Sequence, residues 1–568
     1  MASRREFLHF FSSLGFEDNP FAYTNADEEE RLSEYFVPPP YFESVFGNPN
    51  RPKSFIVFAP RGGGKTAQRR MIEQQSVDNG VLAITYDNFD FHDVNKATDI
   101  KVHHHLRRII RFVLTGLLLN LSRDSREQDN LSKEDKQIFL KLSAEHLGDI
   151  KGADLEITLE ALKSLRDKFK DFWNDWVPVM GIGLQFVLKL IKPIKDLGDN
   201  ISELQKFHDP EFHRTDSLKF QLKLLVDLAK KLGWKSIYIL VDRVDEASTT
   251  GNNVKASFSL LEPLLKDLSL LEFSGIGFKF FLWDQLEPLC KNIVRTDRIR
   301  QESLDWDNQM LMALWENRLR AYSAKKISRL EQITAKLKIY SVDELCLIFS
   351  NHSPRDLIRL GNQILSEQQE HRDFSAKIHE KVIYKAIDKF CAKRSSELIV
   401  KETVLEGLKR TRQVDFTIPY LSNTVFKEKG TSTRNRLMSW RAENAIVEVE
   451  RVDNPSSRGK NKVKLFAIKD IRVAKAIYPE LDVLNFLSAK YKKCPQCNAS
   501  VIRDWGEVPS SNICQDCQYD LSEEADNLEK WQRQDIAVSK RRQYRETSLD
   551  ENAMQLSLFD GMDNRDDE

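Results

Sequence analysis

Cysteine is scarce, with seven among 568 residues, too few for a disulfide scaffold. An excess of charge of one sign is also absent, since 86 Lys+Arg stand against 86 Asp+Glu. That balance excludes a generally basic nucleic-acid coat and a generally acidic protein. Long apolar runs are missing. The opening MASRREFLHFFSSLGF has no apolar stretch ending in a small-residue cleavage site, so no signal peptide is expected. The most apolar internal stretch, Val177 to Leu188, is too short to span a bilayer and is followed by Lys189, so no membrane partner is expected either. No internal repeat is visible. The expectation is a soluble, cytoplasmic protein.

What is present is ample core material: 41% hydrophobic and 10% aromatic residues exclude wholesale disorder. The length predicts several domains. Neutrality overall hides local imbalance. Residues 391–500 hold 22 Lys+Arg against 12 Asp+Glu, a net of +10, and residues 501–568 hold 8 against 17, a net of −9. The runs Ser54–Phe58, Val81–Tyr86, Ile237–Val241 and Phe278–Leu282 are short, apolar and separated by helical patterns. They predict an α/β fold with a parallel sheet covered on both faces. Six segments follow: an aromatic, Pro-rich lead-in (1–54), the α/β core (55–300) with a helical insertion (about 101–235), an all-helical unit (301–392), a mixed segment (393–490), a Cys-paired segment (491–521) and a charged tail (522–568).

Ala59-Pro60-Arg61-Gly62-Gly63-Gly64-Lys65-Thr66 follows the first strand and precedes a helical pattern. This is a phosphate loop in the right context. The glycines let the backbone wrap a phosphate, and the helix N-terminus adds positive potential. Lys65 is the candidate for neutralising the β- and γ-phosphates of ATP and Thr66 for holding Mg²⁺. Ala59 stands where the strict pattern has Gly. The alternative is a Gly-rich strand–helix turn. The third strand delivers Asp242 at its C-terminal end, followed by Arg243-Val244-Asp245-Glu246. Asp242 is the second Mg²⁺ candidate, and Glu246 or Asp245 the candidate base for the attacking water. Alone, these would be acidic residues capping a strand.

The two motifs together resemble the STAND and origin-recognition-type branch of the AAA+ ATPases, and the lead-in Asn19-Pro20-Phe21 to Tyr35-Phe36-Val37 resembles bacterial P-loop ATPases of this kind. Arg243 departs from the small residue usual after the first Asp. The resemblance covers about 15–390. It implies a P-loop NTPase parallel sheet with a helical lid, and ATPase activity with ATP and Mg²⁺. Asn351-His352-Ser353-Pro354-Arg355-Asp356-Leu357 resembles the lid segment that brings a sensor arginine to the γ-phosphate, which makes Arg355 the candidate; a helix-start Arg on a solvated face is the alternative. Arg295, Arg298 and Arg300 are either an arginine finger for a neighbouring subunit in a homo-oligomer or a surface charge run.

Residues 397–468 read as three helices, a strand, a wing and a strand, an order that resembles a winged helix. Arg434, Arg436 and Arg441 on the third helix and Arg458 and Lys460 at the wing are candidates for gripping DNA phosphates; protein contact is the alternative. Cys494, Cys497, Cys514 and Cys517 give two C-x₂-C pairs sixteen residues apart, the spacing of a closed, structural Zn²⁺ site. The segment resembles a zinc ribbon, with redox or free thiols as alternatives. In the tail, Gln555-Leu556-Ser557-Leu558-Phe559 resembles the peptide by which bacterial replication and repair proteins bind the DNA polymerase sliding clamp. His103-His104-His105 reads as a helix face and not a metal site. The expected function is an ATPase coupling nucleotide state to DNA or a replication-associated partner. The alternative is a regulatory or anti-phage defence switch that acts through an effector protein with little turnover. A purely protein-binding C-terminus is a third reading.

Overall fold

The structure, a computed structural model, describes residues 10–91, 94, 96–123, 129–147, 152–168, 215–337, 340–371, 377–453, 462–493, 496 and 500–502. Two compact units divide the chain. One is Tyr23–Trp306; the other joins Met1–Ala22 to Asp307–Glu568. The segment 1–54 is therefore shared between both units at Ala22/Tyr23.

The Tyr23–Trp306 unit is built on β1 (Phe55–Ala59), β2 (Val81–Tyr86), β3 (Ser236–Val241), β4 (Ile276–Trp283) and β5 (Arg300–Ser303), in the order β2-β3-β4-β1-β5. All pairings are parallel. Every residue of β1, β2 and β3 is buried, as a sheet covered on both faces requires. The four expected strands are present within two residues at each end. β5 is an addition beyond the expected core. Its sequence, Arg-Gln-Glu-Ser, carries no apolar run because it is an edge strand with exposed or half-buried positions, where charge blunts further pairing.

The described part of the stretch between β2 and β3 is mostly helical. Helix α1 (Lys65–Asp78) follows β1; α2 (Val102–Arg123), α3 (Lys133–Leu147) and α4 (Thr215–Lys231) lie between β2 and β3. Leu106, Ile110, Leu114, Leu117 and Leu222 of these helices pack into the same core as Ile84 and Ile239 of the sheet. Much of the expected insertion thus covers the sheet. Its residues Val177 to Leu188 lie outside the described residues. His105 is buried in that layer, its ring 2.6 Å from Tyr86 Oη and 3.0 Å from the Leu260 carbonyl.

The other unit holds α5 (Asn308–Tyr322), α6 (Val342–Ser350), α7 (Pro354–Glu370) and α8 (Glu380–Leu398). Phe21 stacks on Trp315 with ring centroids 4.6 Å apart, and Asn19 Nδ2 donates to Asn362 Oδ1 at 2.9 Å. Gly361 on α7 makes this possible, because a Cβ there would stand 2.8 Å from both Phe21 and Trp315. Farther along come α9 (Glu402–Thr411), β6 (Asp415–Thr417), α10 (Gly430–Ala442), β7 (Ile446–Asp453) and β8 (Lys462–Ile468). The three strands form an antiparallel sheet in the order β6-β8-β7. No described helix is long and apolar enough to cross a membrane.

Two outcomes follow. Gly361→Ala, a change that favours an ordinary helix, will here destabilise by about 1–3 kcal/mol through overpacking, read from urea unfolding. Burial pushes the His105 imidazole down to about 3, whereas an unfolded histidine takes its proton near 6.5. The unfolded chain thus binds the extra proton between those values, and stability falls as pH drops through that window. His105→Gln, which cannot titrate, will flatten the fall of Tm between pH 7 and 5.

Candidate nucleotide site

The glycine-rich turn, the candidate phosphate loop, leaves β1 and enters α1 at the C-terminal edge of the sheet, where open parallel sheets bind ligands. Gly62 and Gly64 adopt φ of 78° and 94°, a region that favours glycine. At Gly63 a Cβ would stand 3.0 Å from the Pro60 carbonyl oxygen, so a side chain would spread the turn. Lys65 Nζ donates back to the carbonyls of Ala59 (2.9 Å) and Pro60 (3.1 Å). The Trp306 indole donates to the Gly63 carbonyl at 2.8 Å.

β4 lies between β1 and β3, so two strand spacings, about 9–10 Å, separate the phosphate-loop strand from the acidic strand. The first turn of α1 bridges that gap: Thr66 Oγ1 donates to Asp242 Oδ2 at 3.0 Å. Asp242 is 1% exposed and must have donors, because a desolvated carboxylate is costly without them. It has two more. Arg69 Nε reaches the same Oδ2 at 3.0 Å, and the Arg243 amide reaches Oδ1 at 2.9 Å. Arg243 is held at φ 57°, a left-handed conformation uncommon outside glycine.

Arg69 is fully buried. Its guanidinium also meets Glu73, Thr85 and Asp27. Burial alone would lower its pKa, but Glu73, Asp242 and Asp27 carry it well above the ordinary value. Asp27 comes from the lead-in and takes a second bond from Arg243 Nη2. Burial pushes its carboxyl up, yet Arg69, Lys163 and Arg243 outweigh that and hold it below the usual range.

The two candidate bases differ. Asp245 is buried and held by Arg61 of the phosphate loop, whose Nε and Nη2 stand 3.0 and 2.8 Å from Asp245 Oδ2. The Arg61 guanidinium also lies 4.4 Å above the Trp283 ring. The Glu246 side chain is 61% exposed, 3.9 Å from Arg243 Nε.

The structure thus brings Ala59 to Thr66, Asp242 and Asp245 into one site with Glu246 at its rim. Arg355 belongs to the other unit, half-buried on the first turn of α7. Next to it, buried Asp356 accepts from Arg394 at 3.1 Å and from Arg472. Arg295, Arg298 and Arg300 are exposed and paired within the chain with Asp297, Glu272 and Glu302. On α10, Arg434 and Arg441 are exposed, whereas Arg436 pairs with Glu428 at 3.2 Å and lies 4.2 Å above the Phe426 ring. Arg458, Lys460, Cys494, Cys497, Cys514, Cys517 and Gln555 to Phe559 lie outside the described residues. Two described strands, Tyr491–Lys493 and Ser500–Ile502, pair antiparallel on either side of the first cysteine pair. Sequence reasoning missed Arg69 and Asp27. The available signal was a charge at Arg69, three residues after Thr66 on a helix whose Met71 and Ile72 face the core.

The arrangement fits a magnesium nucleotide. The turn is crowded at Gly63, and a hydroxyl and a buried carboxylate stand 3.0 Å apart beside it. Among the described residues no three His, Cys, Asp or Glu gather into a metal-binding group. Arg69→Met would leave Asp242, Glu73 and Asp27 without their central counter-ion, and we expect a loss of about 3–5 kcal/mol in urea unfolding. No known protein-family model matches this chain, and no curated protein matches it.

Proposed function

We propose that this protein is an ATPase of the AAA+/STAND-like kind that couples nucleotide state to DNA or a replication-associated partner. The observation that carries the reading is the bond from Thr66 Oγ1 to Asp242 Oδ2 across the intervening strand. It joins two motifs 176 residues apart at the edge where such sheets bind ligands. Bound ATP with Mg²⁺ supplies the phosphoanhydride and the charge that polarises it. Lys65, leaving the Ala59 and Pro60 carbonyls, would place its ammonium on the phosphates. Thr66 and Asp242 would hold the metal, and Glu246 would orient and deprotonate water. Arg434 and Arg441, exposed on α10, would grip DNA phosphates together with Arg458 and Lys460. Cys494, Cys497, Cys514 and Cys517 would hold a structural Zn²⁺, and Gln555 to Phe559 would dock the sliding clamp.

One observation favours a slower machine, the nucleotide-dependent switch acting through an effector. Asp245 is neutralised by Arg61, and the remaining base, Glu246, is exposed. A base in water and not braced toward a substrate gives little preorganisation.

Calorimetry and a phosphate-release assay on the full chain test both readings. Wild type will take up ATP with Mg²⁺, and Lys65→Ala will lose that uptake. On the ATPase reading, Glu246→Gln keeps binding but loses turnover at least about 100-fold. On the switch reading, wild type and Glu246→Gln turn over equally slowly. No uptake by wild type at millimolar ATP defeats both.

A further inference from the structure

We propose that Asp27, far from the phosphate loop in sequence, is a positioning residue for the Mg²⁺-side carboxylate Asp242, acting through Arg69 and Arg243. The inference rests on the nucleotide reading of the site. Both arginines touch Asp242, Arg69 by its Nε on Oδ2 and Arg243 by its backbone amide on Oδ1. Both spend their Nη2 on Asp27, Arg69 on Oδ1 and Arg243 on Oδ2. One carboxylate thus braces the two groups that aim another.

The brace has a chemical consequence. Arg69 is buried among Asp242, Glu73 and Asp27. While Asp27 carries part of the guanidinium charge, Asp242 keeps electron density for a cation beside Thr66. Neutralising Asp27 shifts Arg69 onto Asp242, where it competes with the metal. It also releases the Arg243 side chain, which helps to hold the left-handed turn directing the amide to Oδ1. Groups that orient a metal-binding carboxylate from behind tune affinity without touching the metal. Asn25 fixes the approach of Asp27, its Oδ1 accepting from the Asp27 amide at 3.2 Å.

The test is the affinity of N-methylanthraniloyl-ATP for the full-length chain in excess Mg²⁺ and in EDTA, by fluorescence titration. The readout is the ratio of the two dissociation constants. Asp27→Asn will shrink the wild-type ratio about tenfold, with the EDTA constant unchanged. Asp27→Glu, which retains the charge, will keep most of the ratio. Arg243→Gln removes one arm of the brace from a partly exposed position and will give an intermediate ratio; it stands in if Asp27→Asn fails to fold. A wild-type ratio in Asp27→Asn, or equal weakening with and without Mg²⁺, overturns the inference while leaving the nucleotide site intact. A wild type that binds the probe equally with and without Mg²⁺ overturns it too. A wild type that binds the probe in neither condition removes the nucleotide reading itself.

Discussion

A carboxylate taken out of water at the end of a strand must be met by donors, and the site is organised around that requirement at Asp242. Three donors answer it, from the phosphate loop's helix (Thr66 and Arg69) and from the acidic motif's own backbone (Arg243). Because the carboxylate is buried, both of its arginine donors are held in place by partners of their own. The demand is passed outward to Glu73, Thr85 and Asp27. A chain of charge compensation therefore ties three sheet-end elements and the lead-in together. Removing one member costs far more than an exposed ion pair would.

The same logic recurs in the other unit. Asp356, buried beside Arg355, gathers Arg394 from α8 and Arg472 from beyond β8. A buried acid with arginines from separate helices defines how those helices meet. In the first unit the charges converge at the rim of the sheet, with the glycine turn beside them. In the second they lie among helices. The division of labour between Asp245 and Glu246 follows from burial as well. The buried acid is claimed by Arg61, and the exposed one is left to the solvent side.

Much of this was legible beforehand. Strands buried on both faces must be continuously apolar, so β1, β2, β3 and β4 announce themselves, and so do the glycine turn and the acidic strand end that follow them. β5 did not, because its positions are exposed or half-buried and need no apolar run. Arg436 reads like Arg434 and Arg441 in sequence, yet Glu428 and Phe426 claim it. The lead-in looked like one segment because aromatic residues run through it from Phe7 to Phe46. Its division at Ala22/Tyr23 depends on Phe21 meeting Trp315 and Asp27 meeting Arg69.

Local pattern, then, determined the element types, the glycine-rich turn, the acidic strand end and the order in which they occur, since each is a matter of neighbouring residues and their periodicity. Tertiary structure alone decided that β4 separates the two motif-bearing strands and that Thr66 nevertheless reaches Asp242. It also decided that a lead-in aspartate stands behind both arginines of the site. Those outcomes turn on pairings between residues well separated in sequence, 42 positions for Asp27 with Arg69 and 176 for Thr66 with Asp242, where burial and charge compensation, not local propensity, select the partner.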